Sequence, residues 1–223
     1  MPTSPSTYGQ GLARPACPRR CGGTPAAADH VVPHDAQAIA RLADLNKAFI
    51  ADPTDPRILQ RRAALLMKIG RPHEAIADLD AAIAQTPDDW DNFILLGTIY
   101  ESLNRWDDAA VAFARADKLL PTNAGILLLR AKNLIGRPSP TASQGMSGVE
   151  FAARAAAIRD SSEARAVLAA GFARAREYGH AVEEQRRALA LCRSEGQPDR
   201  IIADYRADLS RLEALAEPAR MAR

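Results

Sequence analysis

Three prolines, Pro53, Pro87 and Pro121, are equally spaced along the chain. Other residue types keep this step, since an alanine precedes each proline by five residues and a large apolar residue precedes it by eight. A fixed period of this length is typical of repeat architectures, in which each unit buries its apolar face against the next. The chain is therefore expected to fold as a stack of repeated units.

Each unit is predicted to contain two helices joined by a turn. The apolar residues recur at the i, i+3, i+4, i+7 spacing of helices that have one buried face. Asn104, like Gly70 one period earlier, stands between the two patterns and suits a turn that needs a left-handed residue. Aromatic residues make up only 5% of the chain, and β-branched runs are scarce, which favours helices over sheet.

This pattern resembles the tetratricopeptide repeat, a unit of about 34 residues with a small residue in its first helix and a closing proline. The residues that carry the resemblance are Gly97, Tyr100, Ala109, Phe113, Ala116 and Pro121 in one unit, and Ala63, Leu66, Ala75, Leu79, Ala82 and Pro87 in the unit before. The resemblance implies an all-α fold, a right-handed solenoid of antiparallel helix pairs with capping helices. It also implies that Gly97 lies where the second helix packs closely against the first.

The period divides the chain into three segments. Residues 1–35 are rich in Pro, Gly, Ser and Thr and are predicted to be a disordered tail. Residues 36–192 are predicted to be the repeat array, with an N-terminal capping helix at 36–53 and units at about 54–87, 88–121, 122–160 and 161–193. Residues 194–223 are predicted to form a C-terminal capping helix and tail, because the ends of a solenoid need atypical caps.

Two units depart from the regular pattern. In the third, residues 136–147 are expected to lengthen the turn by about five residues, so that the second helix begins at Gly148. The fourth has Gln185 where an aromatic residue or leucine is usual, and Arg193 where proline is usual. Arg62 and Arg130, which lie two periods apart, are expected to bury their stems and to pair with carboxylates.

The first helices of stacked units are expected to line a concave surface, because successive pairs rotate slightly. The side chains predicted to face this groove and to bind a partner are Arg57, Gln60, Met67, Asp91, Ile94, Thr98, Glu101, Leu128 and Lys132. An apolar centre at Ile94 and Leu128 with a charged rim suits a helix or peptide of a partner protein. The competing interpretation is that Ile94 and Leu128 pack against neighbouring helices.

A metal-sensing or regulatory protein is the alternative hypothesis. Cys17, Cys21, His30 and His34 are residue types that zinc prefers. The gap between the two pairs is shorter than in the usual zinc motifs and contains no large apolar residue, so no metal site and no cofactor are predicted. The chain has neither a recognisable nucleophile–base pair nor a phosphate-binding glycine loop, and we therefore predict that it is not an enzyme.

The expected partner is a protein or peptide of unknown identity. A net charge of +2 lacks the basic excess of proteins that bind nucleic acid. No stretch approaches the about 20 apolar residues that a membrane span needs, and no signal-peptide core is recognisable, so a cytoplasmic location without a membrane partner is expected. Self-association into a homodimer through the apolar last helix is a third hypothesis.

Overall fold

The computed structural model describes residues 33–221, and this range contains ten α-helices and no strand. The helices are α1 (Pro33–Ala51), α2 (Pro56–Lys68), α3 (Pro72–Gln85), α4 (Trp90–Ser102), α5 (Trp106–Leu119), α6 (Ala124–Gly136), α7 (Ala142–Ile158), α8 (Ser162–Arg174), α9 (Tyr178–Ser194) and α10 (Asp199–Met221). The predictions made for residues 1–32, including the candidate ligands Cys17, Cys21 and His30, lie outside the described residues. The side chain of His34 lies outside them too.

The start of each first helix is set by a side-chain cap. Asp55, Asp89 and Asn123 are spaced by the same step as the prolines, and each accepts a hydrogen bond from the backbone N–H two residues further on, at 2.8, 3.1 and 2.9 Å respectively. Ser161 caps α8 by accepting from the N–H of Ala164 at 3.3 Å. Each such cap satisfies a backbone donor that the helix itself leaves without a partner.

A left-handed residue makes the turn inside three of the four units. Gly70, Asn104 and Arg176 have φ values of +76°, +58° and +61°, as predicted for the first two. In the third unit this register position is Pro138, whose ring fixes φ near about −65° and excludes the left-handed turn. The connection between α6 and α7 therefore spans residues 137–141, two residues more than the connection between α4 and α5.

The expected start of α7 at Gly148 is wrong, because the helix begins at Ala142. Thr141 and Gln144 form a capping box, in which each side chain bonds the backbone of the other. This arrangement satisfies two N–H groups at the helix start, so part of the inserted segment is helical rather than loop. The insertion is thus divided between a slightly longer turn and an extra turn of helix.

Gly97 lies at the closest approach of α4 and α5. A methyl group built on it would be 2.5 Å from Cε1 of Phe113, whose side chain is fully buried. Real Cβ atoms do not come this close to another carbon, so only glycine fits without moving the ring. The prediction that a small residue allows close packing within the unit is confirmed.

Two arginines, Arg62 and Arg130, join successive units with their side chains largely buried, as expected. The Nε and Nη2 atoms of Arg62 donate to the carboxylate of Asp78 at 2.7 and 2.6 Å, and its guanidinium lies 3.7 Å from the ring centroid of Phe49. Arg130 repeats this arrangement two units further along, with the aromatic and acidic partners exchanged. It pairs with Asp117 of the preceding unit and lies over Phe151 of its own.

The first helices form the inner layer of the solenoid. α6 packs directly against α8 and α2 touches α4, whereas successive second helices make no comparable contact within the described residues. The curvature therefore places α2, α4, α6 and α8 on the concave side. At the C-terminal end, Nε2 of the buried Gln185 donates to the carbonyl oxygen of Tyr205 on α10 at 3.0 Å, which accounts for a polar residue at this core position.

Candidate partner-binding groove

The predicted groove residues lie on the inner-layer helices α2, α4 and α6, and they differ in how much of each is exposed. The exposed ones are Arg57, Asp91 and Lys132, and the half-buried ones are Gln60, Met67, Ile94, Thr98 and Glu101. The inner face of the solenoid is therefore mixed in polarity. Partial burial of the carboxyl group raises the pKa of Asp91, and the nearby charge of Asp89 raises it further.

Leu128 does not form the apolar centre that the sequence indicated. Its side chain is only 3% exposed, and it belongs to a core cluster that includes Ala164 and Val167 of α8. Ile94 is half-buried and packs against a cluster formed by Phe93, Ala116 and Ile126. The competing interpretation therefore holds for Leu128: the close packing of α6 on α8 buries it.

Polar side chains on the inner face connect one first helix to the next. Nδ2 of the fully buried Asn133 donates to the Glu101 carboxylate on α4 at 2.9 Å. Nζ of Lys132 lies 2.5 Å from Glu163 on α8, with both side chains about half exposed. An ion pair this exposed contributes little to the stability of the fold. Either side chain can therefore pair with a charged group of a ligand instead.

The inner face opens into a cleft between α8 and α10, which we call the C-terminal cleft. On α8 the groove positions are Ala166, Ala170 and Ala173, in register with Leu128 and Lys132 on α6 for the first two. Because these side chains are small, they leave a space of about 370 Å³ beside α10. Its lining residues are Ala166, Ala170, Ala173, Arg174, Tyr178, Gln185, Asp208, Arg211, Leu212 and Leu215.

The predicted groove residues do not include this cleft, although the sequence contains a signal for it. The small core residue of the third unit, Ala131, and that of the fourth, Ala169, are separated by four positions more than one period. When this longer step is added to the inward-facing positions of α6, it gives Ala166, Ala170 and Ala173 on α8. The position of the opposing wall could not be obtained in this way, because α10 lies beyond the last repeat.

A second cleft adjoins the first at the carboxyl end of α8, and we call it the edge cleft. It has a volume of about 360 Å³ and is lined by Pro140, Thr141, Gly145, Met146, Arg174, Ala175, Arg176 and Glu177. Arg174 lines both clefts. Met146 is 51% exposed, so the edge cleft offers apolar surface to a ligand.

The described residues contain no group of three or more His, Cys, Asp or Glu side chains that could hold a metal ion. Cys192 on α9 is buried, and its environment raises the pKa of the thiol through desolvation. Within residues 33–221, every helix is too short or too polar to cross a membrane.

Part of the chain matches a known family. Residues 66–132 match the family model of the tetratricopeptide repeat. Among curated proteins, none matches the chain. Tetratricopeptide repeat proteins are generally protein-interaction scaffolds.

Several solved structures share the fold at low sequence identity. MamA from Desulfovibrio magneticus RS-1 is 17% identical, with a TM-score of 0.64 over 72% of this chain and 89% of that one. A thermophilic tetratricopeptide repeat protein of Thermus thermophilus is 19% identical, with a TM-score of 0.59 over 80% and 92%. A tetratricopeptide repeat protein from Parabacteroides merdae is 16% identical, with a TM-score of 0.67 over 84% and 72%. Residues 66–132 are thus a tetratricopeptide repeat segment, and the described residues have the all-helical solenoid fold that such repeats build.

Proposed function

We propose that this protein is a non-enzymatic scaffold that binds a helix or peptide of a partner protein in the concave groove of its repeat array. The observation that carries the proposal is the inner face itself. It presents exposed charged residues such as Asp91 and Lys132 beside half-buried apolar ones such as Ile94, and it opens into the C-terminal cleft. Surfaces that combine apolar anchors with a polar rim are suited to protein recognition.

The ion pair between Lys132 and Glu163 is consistent with such a role. Both side chains are about half exposed, so the pair contributes little to stability. A bound partner can therefore replace either member without a large cost to the fold. The largely buried pair of Arg62 and Asp78, by contrast, holds the two helices of one unit together and is not available to a ligand.

Charge reversal on the two faces of the solenoid tests this proposal. In the groove variant, Asp91→Arg is combined with Lys132→Glu, which keeps the net charge. The matched control combines Asp80→Arg with Lys118→Glu, two exposed residues on the second helices α3 and α5. Each purified variant, with its circular dichroism checked against the parent chain, is used to capture proteins from an extract of the source cells.

The proposal expects a prey protein that the parent chain and the control recover and that the groove variant loses. A prey protein that survives the groove substitutions and is lost with the control would place the binding surface on the outer layer. Self-association is the second candidate, and the sequence predicted it through the last helix, α10, where Leu215 is 46% exposed. Ile39 and Ile50 on α1, at 53% and 80% exposed, offer a second apolar surface for it. Sedimentation of the purified chain across a range of concentrations tests it directly.

A further inference from the structure

The two adjoining clefts at the C-terminal end are lined by more arginines than carboxylates. Asp208 and Glu177 are the carboxylates among their lining residues. Asp208 is already paired with Arg211 at 2.9 Å, and Glu177 is bonded to His180 at 3.0 Å. Three arginines, Arg174, Arg176 and Arg211, stand against these two carboxylates, so the lining residues carry a net positive charge.

Apolar surface lies on both sides of Arg174. On the concave side, the exposed Ala170 faces a space bounded by Leu212 and by Leu215, which is 46% exposed. On the other side, the edge cleft contains Met146. Each space, at about 370 and 360 Å³, lies within the range of about 300–1,000 Å³ that ligand sites occupy.

The C-terminal cleft also has a polar residue in its wall. Gln185 is only 3% exposed yet lines the cleft, and its Nε2 atom is held by the backbone of α10. This bond fixes the amide and the spacing between α9 and α10. All lining residues of the cleft lie on helices α8, α9 and α10, which are held in place. Less conformational entropy is therefore lost when a ligand binds.

We infer that these two clefts bind an acidic segment of a partner protein. Apolar side chains of the segment occupy the C-terminal cleft and the edge cleft, and an acidic residue between them contacts Arg174. This inference rests on the proposed function and identifies the chemistry of the partner. Opposite charge selects the ligand, because a basic segment would meet a lining with more arginines than carboxylates.

A displayed library of random peptides, selected against the full chain, tests the inference. The expected consensus combines acidic residues with large apolar ones. For a synthetic peptide of the selected sequence, Ala170→Arg should weaken binding at least about tenfold, because it fills the space that an apolar side chain would bury. Ala190→Arg is the matched control, at an exposed position of α9 outside both clefts.

Substitution of Arg174 tests the charge separately from the shape. Arg174→Glu should weaken binding of the acidic peptide, and a selection repeated on that variant should lose the preference for acidic residues. Arg115→Glu, at an exposed position of α5, is the matched control and should change neither result. Arg174→Gln serves if the reversed charge destabilises the end of α8, where a cation is favoured.

The outcomes separate this inference from the proposed function. Selected peptides that resist Ala170→Arg and are lost with the Asp91→Arg, Lys132→Glu variant would overturn the inference and leave the groove as the binding surface. A consensus that is basic, or free of charge, would also overturn it. If no peptide bound in a manner sensitive to either set of substitutions, both the inference and the proposed function would be wrong.

Discussion

The close approach of Gly97 to Phe113 makes a quantitative prediction about stability. In an exposed helix interior, Gly→Ala stabilises by about 0.5–1 kcal/mol, because alanine has the higher helix propensity. Here the new Cβ would lie 2.5 Å from Cε1 of a ring that is fully buried and cannot move aside freely. Overpacking of this kind costs about 1–3 kcal/mol, so Gly97→Ala should destabilise the chain by about 1 kcal/mol in total.

Chemical and thermal unfolding followed by circular dichroism measure this effect. A loss of about 1 kcal/mol lowers the melting temperature by about 2–4 °C in a chain of this size. Gly179→Ala is the control, because nothing lies within 4 Å of a Cβ built there and the residue is helical. That substitution should be neutral or slightly stabilising.

A double-mutant cycle identifies the cause. Phe113→Leu removes ring atoms from the space that the new methyl group would enter, so Gly97→Ala should become stabilising in that background. The coupling energy between the two sites should then fall between about 0.5 and 3 kcal/mol, the range for residues in contact. The reasoning would be refuted if Gly97→Ala stabilised the parent chain as Gly179→Ala does, or if the coupling energy were zero.

Three further predictions concern groups that the fold buries or bonds. Arg62→Ala leaves the carboxylate of Asp78 buried without a partner, so the free energy of unfolding measured in urea should fall by about 3–5 kcal/mol. The double variant Arg62→Leu, Asp78→Ala should recover most of this loss, because it copies the apolar residues at the same two positions of the next unit. Hydrogen bonds donated by Ser162 lower the pKa of Glu195. The parent chain should therefore be more stable than Glu195→Gln above the ordinary pKa of glutamate, and this difference should vanish as the pH falls through the lowered pKa. Acid titrations of the stability of both proteins measure the difference. Cys192 is fully buried with a raised thiol pKa, and in a variant that keeps only this cysteine, maleimide labelling should be slow until denaturant is added.

Most of the fold could be predicted from the periodicity of the sequence, and the reason is physical. Positions such as Ala63 and Gly97 recur because each unit must bury the same face against its neighbours, and this requirement leaves a regular pattern. Helix starts were recoverable as well, because Asp55, Asp89 and Asn123 keep the same step. Local chemistry and repeat period agree at these positions.

The errors arose where the period changes. Pro138 occupies the left-handed turn position of the third unit, and the capping box at Thr141 extends α7 toward the turn. Neither effect follows from the spacing alone. Both can be deduced when proline geometry and capping residues are considered together.

The groove was harder to predict than the fold because the exposure of a residue depends on how closely adjacent helices pack. Leu128 occupies the same register position as Ile94, yet it is buried where α6 meets α8. The C-terminal cleft depends on α10, whose position no repeat pattern specifies. The sequence therefore identifies which residues can face inward, and the packing of the helices decides which of them a partner can reach.

Site-specific crosslinking tests most directly whether the concave face binds the partner. A photo-crosslinking amino acid replaces Lys132 on α6 in one protein and Lys118 on α5 in another, both at exposed positions. After irradiation in the source cells, our account predicts a covalent adduct with another protein from position 132 and none from position 118. An adduct from position 118 alone, or equal adducts from both, would contradict the account.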